Sequence, residues 1–205
     1  MATRQRLREH SRGTGGSGAR TRERAQQIAL ELFSTQGYEA TSMRQIAERL
    51  DINKASLYYH FTGKEDIVRS LLVGRGDEAR ELAGWVRDQP RSPELARSTV
   101  LRWLDSFSME KLRGIRFMNA NPLLVRAIAS DVGVDVGSEL EALLPLIVPS
   151  DAGPEQIVLT RMAFMSIGTA IAAAVDVPAV TDEQAIAAAR SAAIALIERA
   201  SHVDT

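Results

Sequence analysis

Apolar positions three and four residues apart recur along most of this chain and divide it into segments that each predict one amphipathic helix. Ala25, Ile28, Ala29, Leu32 and Phe33 make the first such face, with Arg24, Gln27, Glu31 and Gln36 on the other side. Met43, Ile46, Ala47 and Leu50 make a second, and Leu57 and Phe61, four apart, anchor a short third helix. Further on, Ala79, Leu82, Ala83 and Val86 form one stripe, and Ala96, Val100, Trp103, Leu104 and Phe107 form another. Val and Ile do not fall in alternating runs, so no strand is predicted. The expected fold class is all-α.

Punctuation fits the same reading. Gly37 suits a left-handed C-terminal cap of the first helix. Ser42 with Gln45 three residues on fits a capping box at the start of the second. Asp51-Ile52-Asn53 supplies a turn with a residue tolerant of positive φ and one apolar plug. Beyond residue 64, Gly74, Gly76, Pro90, Gly114, Pro149 and Pro178 are among the breakers between helical intervals, and Gly74 with Gly76 marks either a hinge or a helix end. Ser92 before Pro93 and Asn121 before Pro122 predict N-caps followed by a first-turn proline, and Thr181 with Gln184 predicts a second capping box.

The stretch Met162 to Val175 carries no charged residue. It is shorter than the roughly 20 residues a bilayer requires, so it is expected to be buried in protein, with no membrane partner. Ser166, Gly168, Ala170, Ala172, Ala173 and Ala174 would let another helix approach closely, as would Ala187, Ala188, Ala189, Ala192, Ala193 and Ala195 on the last helix. Two such helices pairing with their copies would make a four-helix interface in a homodimer; the alternative is an Ala-rich core within one chain.

The 205 residues leave room for a small N-terminal module and a larger helical domain. The absence of cysteine excludes disulfides and thiolate metal sites and is compatible with a reducing cytoplasm. No apolar segment follows the arginines at the start, so no signal peptide is expected. The net charge of −1 conceals an asymmetry: residues 1–64 hold 11 Lys or Arg against 6 Asp or Glu, leaving 14 against 20 for the rest. Much of the basic excess is Arg4, Arg6, Arg8, Arg12 and Arg20, opposed only by Glu9. Residues 1–20 therefore read as a flexible basic arm, Gly-rich over Ser11–Gly18, that either follows phosphates, enters a minor groove or stays idle.

Chemistry-bearing motifs are few. Gly13, Gly15 and Gly18 match the spacing of a dinucleotide fingerprint, but no strand precedes them. Gly63-Lys64 lacks the remainder of a phosphate-binding loop. The histidines His10, His60 and His202 are scattered, and no nucleophile signature or metal pair is present, so no enzyme, cofactor or metal site is expected.

The segment Thr41–Phe61 reads as two short helices joined by a tight turn, a helix-turn-helix. In that motif the second helix enters the major groove, and its first residues meet base edges while other donors hold phosphates. Lys54 and Ser56 can donate to base acceptors, and Ala55 can touch a thymine methyl. Tyr58, Tyr59 and His60 follow along the groove edge, Arg44 and Ser42 stand on the preceding helix, and Lys64 opens the next one. Tyr58 can equally serve as a core phenol and His60 as a surface histidine.

Thr-Arg-Glu-Arg, Ala-Leu-Glu-Leu-Phe, Gly-Tyr-Glu-Ala-Thr-Ser, Ile-Ala-Glu-Arg, Leu-Tyr-Tyr-His-Phe and Gly-Lys-Glu-Asp-Ile follow in this order between residues 21 and 70. Together they closely resemble the DNA-binding domain of TetR-family transcriptional regulators. Asp51 stands where that family usually has a turn glycine, and Gly63 where it often has serine or asparagine. The resemblance implies that Tyr59 and His60 contact phosphate or bases and that Lys64 contacts phosphate. It also implies that the last two long helices form the dimer interface, and that control is mostly repressive.

The expected organisation is an arm at 1–20, a helix-turn-helix DNA-binding domain at 21–66 and a helical ligand-binding and dimerisation domain at 67–205. Expected partners are a palindromic operator in double-stranded DNA, a second copy of the chain and a small-molecule effector. Trp85, Trp103, Phe107, Met118, Met162 and Met165 are candidates to line the effector site, or are ordinary core residues. Arg116, Asn119 and Arg161 are polar residues that can orient a ligand group. The alternative function is a helical adaptor or an enzyme-like ligand-binding protein that does not act on DNA.

Overall fold

The computed structural model describes residues 3–92, 94–133, 136–174, 177 and 179–202, with side chains from residue 18 onward except at Val136. Among the described residues the secondary structure is entirely helical. Contacts divide the chain into two compact units, Met1–Leu71 and Leu72–Thr205.

The first unit contains α1 (Thr3–Gln36), α2 (Met43–Leu50), α3 (Lys54–His60) and the start of α4 (Lys64–Arg87). Its core is Ala25, Ala29, Leu30 and Phe33 of α1 against Met43, Ile46, Ala47 and Leu50 of α2, with Leu57, Phe61, Ile67 and Val68. The buried face of α1 is rotated by roughly 60° from the one the periodicity predicts, given about 100° per residue. Leu30 is buried where Ile28 and Leu32 were expected, and those two are half-buried shoulders. Polar groups share the rotated face: Arg22 lies over the Phe61 ring at 4.6 Å and donates to the His60 carbonyl at 3.1 Å. Gln26 donates to Ser70 Oγ at 2.8 Å. Side-chain bonds to the chain around α3 and α4 are satisfied only with α1 turned this way.

The local signals hold. Gly37 ends α1 at φ 91° with its N–H on the Phe33 carbonyl. Ser42 and Gln45 form the capping box of α2, and Asp51 takes the left-handed cap at φ 57°. Asn53, treated in the sequence only as part of the turn, is the N-cap of α3 and accepts from Ser56 N at 2.7 Å. The helix α1 extends through Ser11–Gly18, where a flexible arm is expected; once a helix is nucleated, each further residue adds a backbone hydrogen bond. Side chains of the arm through residue 17 lie outside the described residues.

The second unit takes the remainder of α4 and continues with α5 (Leu95–Asp105), α6 (Met109–Ala120), α7 (Pro122–Val132), α8 (Val136–Glu141), α9 (Leu144–Ile147), α10 (Pro154–Ala174) and α11 (Asp182–Ser201). Leu82, Val86, Val100, Trp103, Leu104, Leu112, Leu143, Phe164, Ile167 and Ile197 belong to one contiguous core. Gly74 and Gly76 do not end a helix, because α4 runs through both. Ser92 is not the cap of α5: that helix begins at Leu95 after Glu94, with no side-chain cap, and Pro93 lies outside the described residues. Pro122 opens α7 as expected, but Asn121 turns its amide to the Phe117 carbonyl at 2.8 Å instead of capping. Thr181 and Gln184 form the expected box on α11.

By length and composition α10 could cross a bilayer. Instead it buries Ala163, Phe164, Ile167 and Ile171 in the unit's core. Its other face, with Val158, Met162 and Met165, is exposed in the single chain, so the charge-free stretch is only half covered.

Candidate nucleic-acid interface and ligand cavity

Short α3 owes its orientation to two side chains. Leu57 is fully buried and Phe61, just past the helix, is almost so. With Leu57 inward, Lys54, Ala55, Tyr58 and Tyr59 are exposed, and Ser56 is half-buried. Tyr59 is 86% exposed, the most exposed large hydrophobic side chain among the described residues of the unit, and Tyr58 is 43% exposed, which removes the core-phenol alternative. Lys54 Nζ lies 5.4 Å from the centre of the Tyr58 ring. The outward surface of α3 therefore presents an ammonium, a methyl group and two phenols, a donor-rich set suited to base edges and phosphates.

His60 is set back from this row. Its ring is half-buried and meets Tyr59 edge-on at 5.3 Å. A Cβ at Gly18 would sit 3.7 Å from His60 Cε1, so α1 passes close beside it. Ser42 is committed to the capping box, its Oγ accepting from Gln45 N at 3.3 Å. Arg44 is exposed and pairs with Glu48 at 2.7 Å. Such exposed i,i+4 pairs add little to stability, so the pair does not commit the Arg44 guanidinium to the fold. Arg49 pairs with Glu31 at 2.9 Å, linking α2 to α1.

Lys64 is engaged within the unit. Its Nζ donates to the Tyr38 carbonyl at 2.6 Å and the Glu39 carbonyl at 3.3 Å, and lies 4.4 Å from the centre of the Tyr38 ring. The Tyr38 phenol has its pKa pushed up to about 12, chiefly by burial and then by the nearby Glu65 and Glu39. Thr41 is a second internal anchor, buried, donating to the Gly37 carbonyl at 2.8 Å and accepting from Gln36 at 3.1 Å. Sequence reasoning missed both anchoring roles because each partner lies across a loop.

In the second unit a cavity of about 1200 Å³ opens between α4, α5, α6, α7, α8 and α10. Of the candidates for its wall, Trp103, Phe107, Met118 and Met165 line it. Trp85 does not; it is half-buried with Arg102 stacked 4.9 Å from its ring centre. Met162 does not either, being 48% exposed on the outer side of α10. Arg116 and Asn119 line the cavity, whereas Arg161 is outside it and pairs with Glu141 at 3.6 Å. The structure adds Arg75, which is buried with its guanidinium carbon 4.3 Å from the centres of both the Trp103 and Phe107 rings. Its signal was legible: Arg75 occupies an apolar position on the α4 stripe that runs from Leu72 through Ala79 to Val86.

These two units define a class, a helix-turn-helix protein with an appended all-α domain enclosing a cavity. Residues 27–71 match the family model described as bacterial regulatory proteins, tetR family. The regulator TcmR of Streptomyces glaucescens is 37% identical over 83 residues, covering 40% of this chain and 36% of that protein. A negative regulator of the biofilm operon in Staphylococcus epidermidis, IcaR, is 49% identical over 41 residues, 20% of this chain and 22% of that one. In both cases the chain spans about a third or less of the relative's length. A TetR-family regulator from Bordetella parapertussis aligns with TM-score 0.57 at 22% identity, covering 85% of this chain and 93% of that one. Salmonella enterica GusR gives TM-score 0.58 at 17% identity, covering 88% and 93%. Residues 27–71 therefore form a DNA-binding domain of the tetR family of bacterial regulatory proteins, and the named relatives of that region are transcriptional regulators, a non-enzyme class.

Proposed function

We propose that this chain is a ligand-responsive transcriptional regulator acting in the cytoplasm, a repressor that binds a palindromic operator as a homodimer and is released by a small-molecule effector. The observation that carries the reading is the outward row of Lys54, Ala55, Tyr58 and Tyr59 on a helix held down by Leu57. One recognition helix reads few base pairs, and two held about 34–36 Å apart read a palindrome. Ser42, Arg44, Ser56, His60 and Lys64 flank the row, with Lys64 chiefly setting the loop that carries α2. The negative control named for IcaR supports repression.

The outer faces of α10 and α11 support the dimer. On α10 the exposed positions Val158, Met162, Met165 and Thr169 share one side by helical spacing, as do Ala188, Ser191, Ala192 and Ala195 on α11. Methionine and valine beside a small-residue stripe give two helices the close approach and apolar contact that a four-helix interface needs. The cavity serves as the effector site, where a ligand favouring one spacing of the recognition helices lowers DNA affinity by its differential affinity for the two states.

Selection of duplex DNA by the purified protein, followed by affinity at several salt concentrations, tests this. A palindrome bound by a dimer with steep salt dependence is expected. If no sequence is enriched and binding is weak at every salt, the regulator reading fails and an adaptor takes its place.

A further inference from the structure

The chemistry of the cavity wall restricts what the effector can be. The wall is mostly apolar, with Trp103, Phe107, Ile115, Phe164 and Ile171 among its residues, so the body of a ligand is hydrocarbon or aromatic. Its charged side chains are Arg75, Arg116 and Arg126, and no aspartate or glutamate lines it. Their partners do not cancel this charge. Arg75 pairs with Glu78, which also holds Lys111 at 2.7 Å, and Arg116 pairs with Asp182. Arg126 makes no ion pair among the described residues. The three wall arginines therefore have two carboxylate partners, one of them shared with Lys111 outside the wall.

A further donor lies in the wall itself. Trp103 is 3% exposed, and its indole N–H has no acceptor among the described residues. A buried donor left unpaired is uncommon in a folded protein. Arg75 is held in place by its two aromatic neighbours, and burial draws its pKa downward, so it gains from an added anion. Guanidinium groups offer paired N–H donors matched to a carboxylate.

We propose that the cavity takes an amphipathic organic anion, its carboxylate paired with a wall arginine and its apolar body against the apolar lining that includes Phe164 and Ile171. The proposal rests on the effector-binding reading above and narrows it to a chemical class. A cationic amphiphile, the other common class of apolar ligand bearing one charge, meets only like charge on this wall.

The test uses the full chain and matched probes: 1-naphthylacetate with 1-naphthylacetamide, dodecanoate with dodecanamide, and dodecylamine. Binding is read by calorimetry and by tryptophan fluorescence. At least one carboxylate is expected to bind about tenfold or more tightly than its own amide, with dodecylamine weakest of the dodecyl set. Arg126→Gln and Arg116→Gln, at exposed positions that leave the core intact, are each expected to narrow the carboxylate-to-amide ratio. Equal affinities, preference for the amine, or no binding by any probe overturns the proposal. The same samples are tested with the selected duplex. Carboxylate preference without duplex binding would remove the regulator reading and keep the ligand class; duplex binding without that preference would remove the ligand class alone.

Discussion

Lys64 Nζ donates to the Tyr38 carbonyl at 2.6 Å while standing 4.4 Å from the centre of the Tyr38 ring. One cation at the start of α4 thus fixes the loop that leads from α1 into α2. A lysine that the sequence offers as a phosphate contact is first a positioning residue for the helix-turn-helix.

Lys64→Ala removes a charge-assisted hydrogen bond and leaves two carbonyls to find other donors. The folded state is expected to lose about 1–3 kcal/mol, with DNA affinity falling alongside. Thermal denaturation checks the first effect, and an unchanged melting temperature would return Lys64 to a purely contacting role.

Tyr59→Ala should separate binding from stability. The ring is 86% exposed, so unfolding free energy is expected to stay within about 0.5 kcal/mol of the parent. Loss of a phenol hydrogen bond to phosphate or base should weaken the selected duplex by about tenfold or more. Fluorescence anisotropy measures it; undiminished affinity would take Tyr59 out of the interface.

The Tyr38 phenol gives an alkaline signature. Its pKa is raised from 10.0 to about 12 in the folded chain, so between those values the unfolded chain releases a proton that the folded chain keeps. The stability it contributes is fully present below pH 10 and is lost as the pH rises to about 12. Tyr38→Phe should flatten the decline in denaturant midpoint across that window, and an identical decline in both proteins would contradict it.

Met162→Glu addresses the dimer. The side chain is 48% exposed in the single chain and outside the cavity wall, so the helical fold should survive. In a paired α10 the carboxylate would be buried without a partner, a penalty of several kcal/mol. Sedimentation should show monomer where the parent is dimeric, with circular dichroism unaltered; a persisting dimer would move the interface elsewhere.

How much was legible depended on the range of the interaction. The outward face of α3 was legible because Leu57 and Phe61 fall four apart and leave Lys54, Ala55, Tyr58 and Tyr59 on the other faces of the helix. The cavity was read less well. Trp103, Phe107, Met118 and Met165 reach it, but Trp85 and Met162 sit on helix faces that other elements, or nothing in the chain, cover.

The sequence alone determined what a few neighbouring residues can settle: the Ser42–Gln45 and Thr181–Gln184 boxes, the left-handed Asp51, the helical class and the motif between residues 41 and 61. These depend on bonds that close within one turn of chain. Tertiary structure decided which side of α1 is buried, why Leu30 replaces Ile28 and Leu32 in the core, that Lys64 is held by Tyr38, and that Arg75 meets Trp103 and Phe107 beside a cavity. Each depends on groups far apart in sequence that compete for one buried volume. Helical periodicity identifies a face, but only packing against its neighbours fixes the angle at which that face is used.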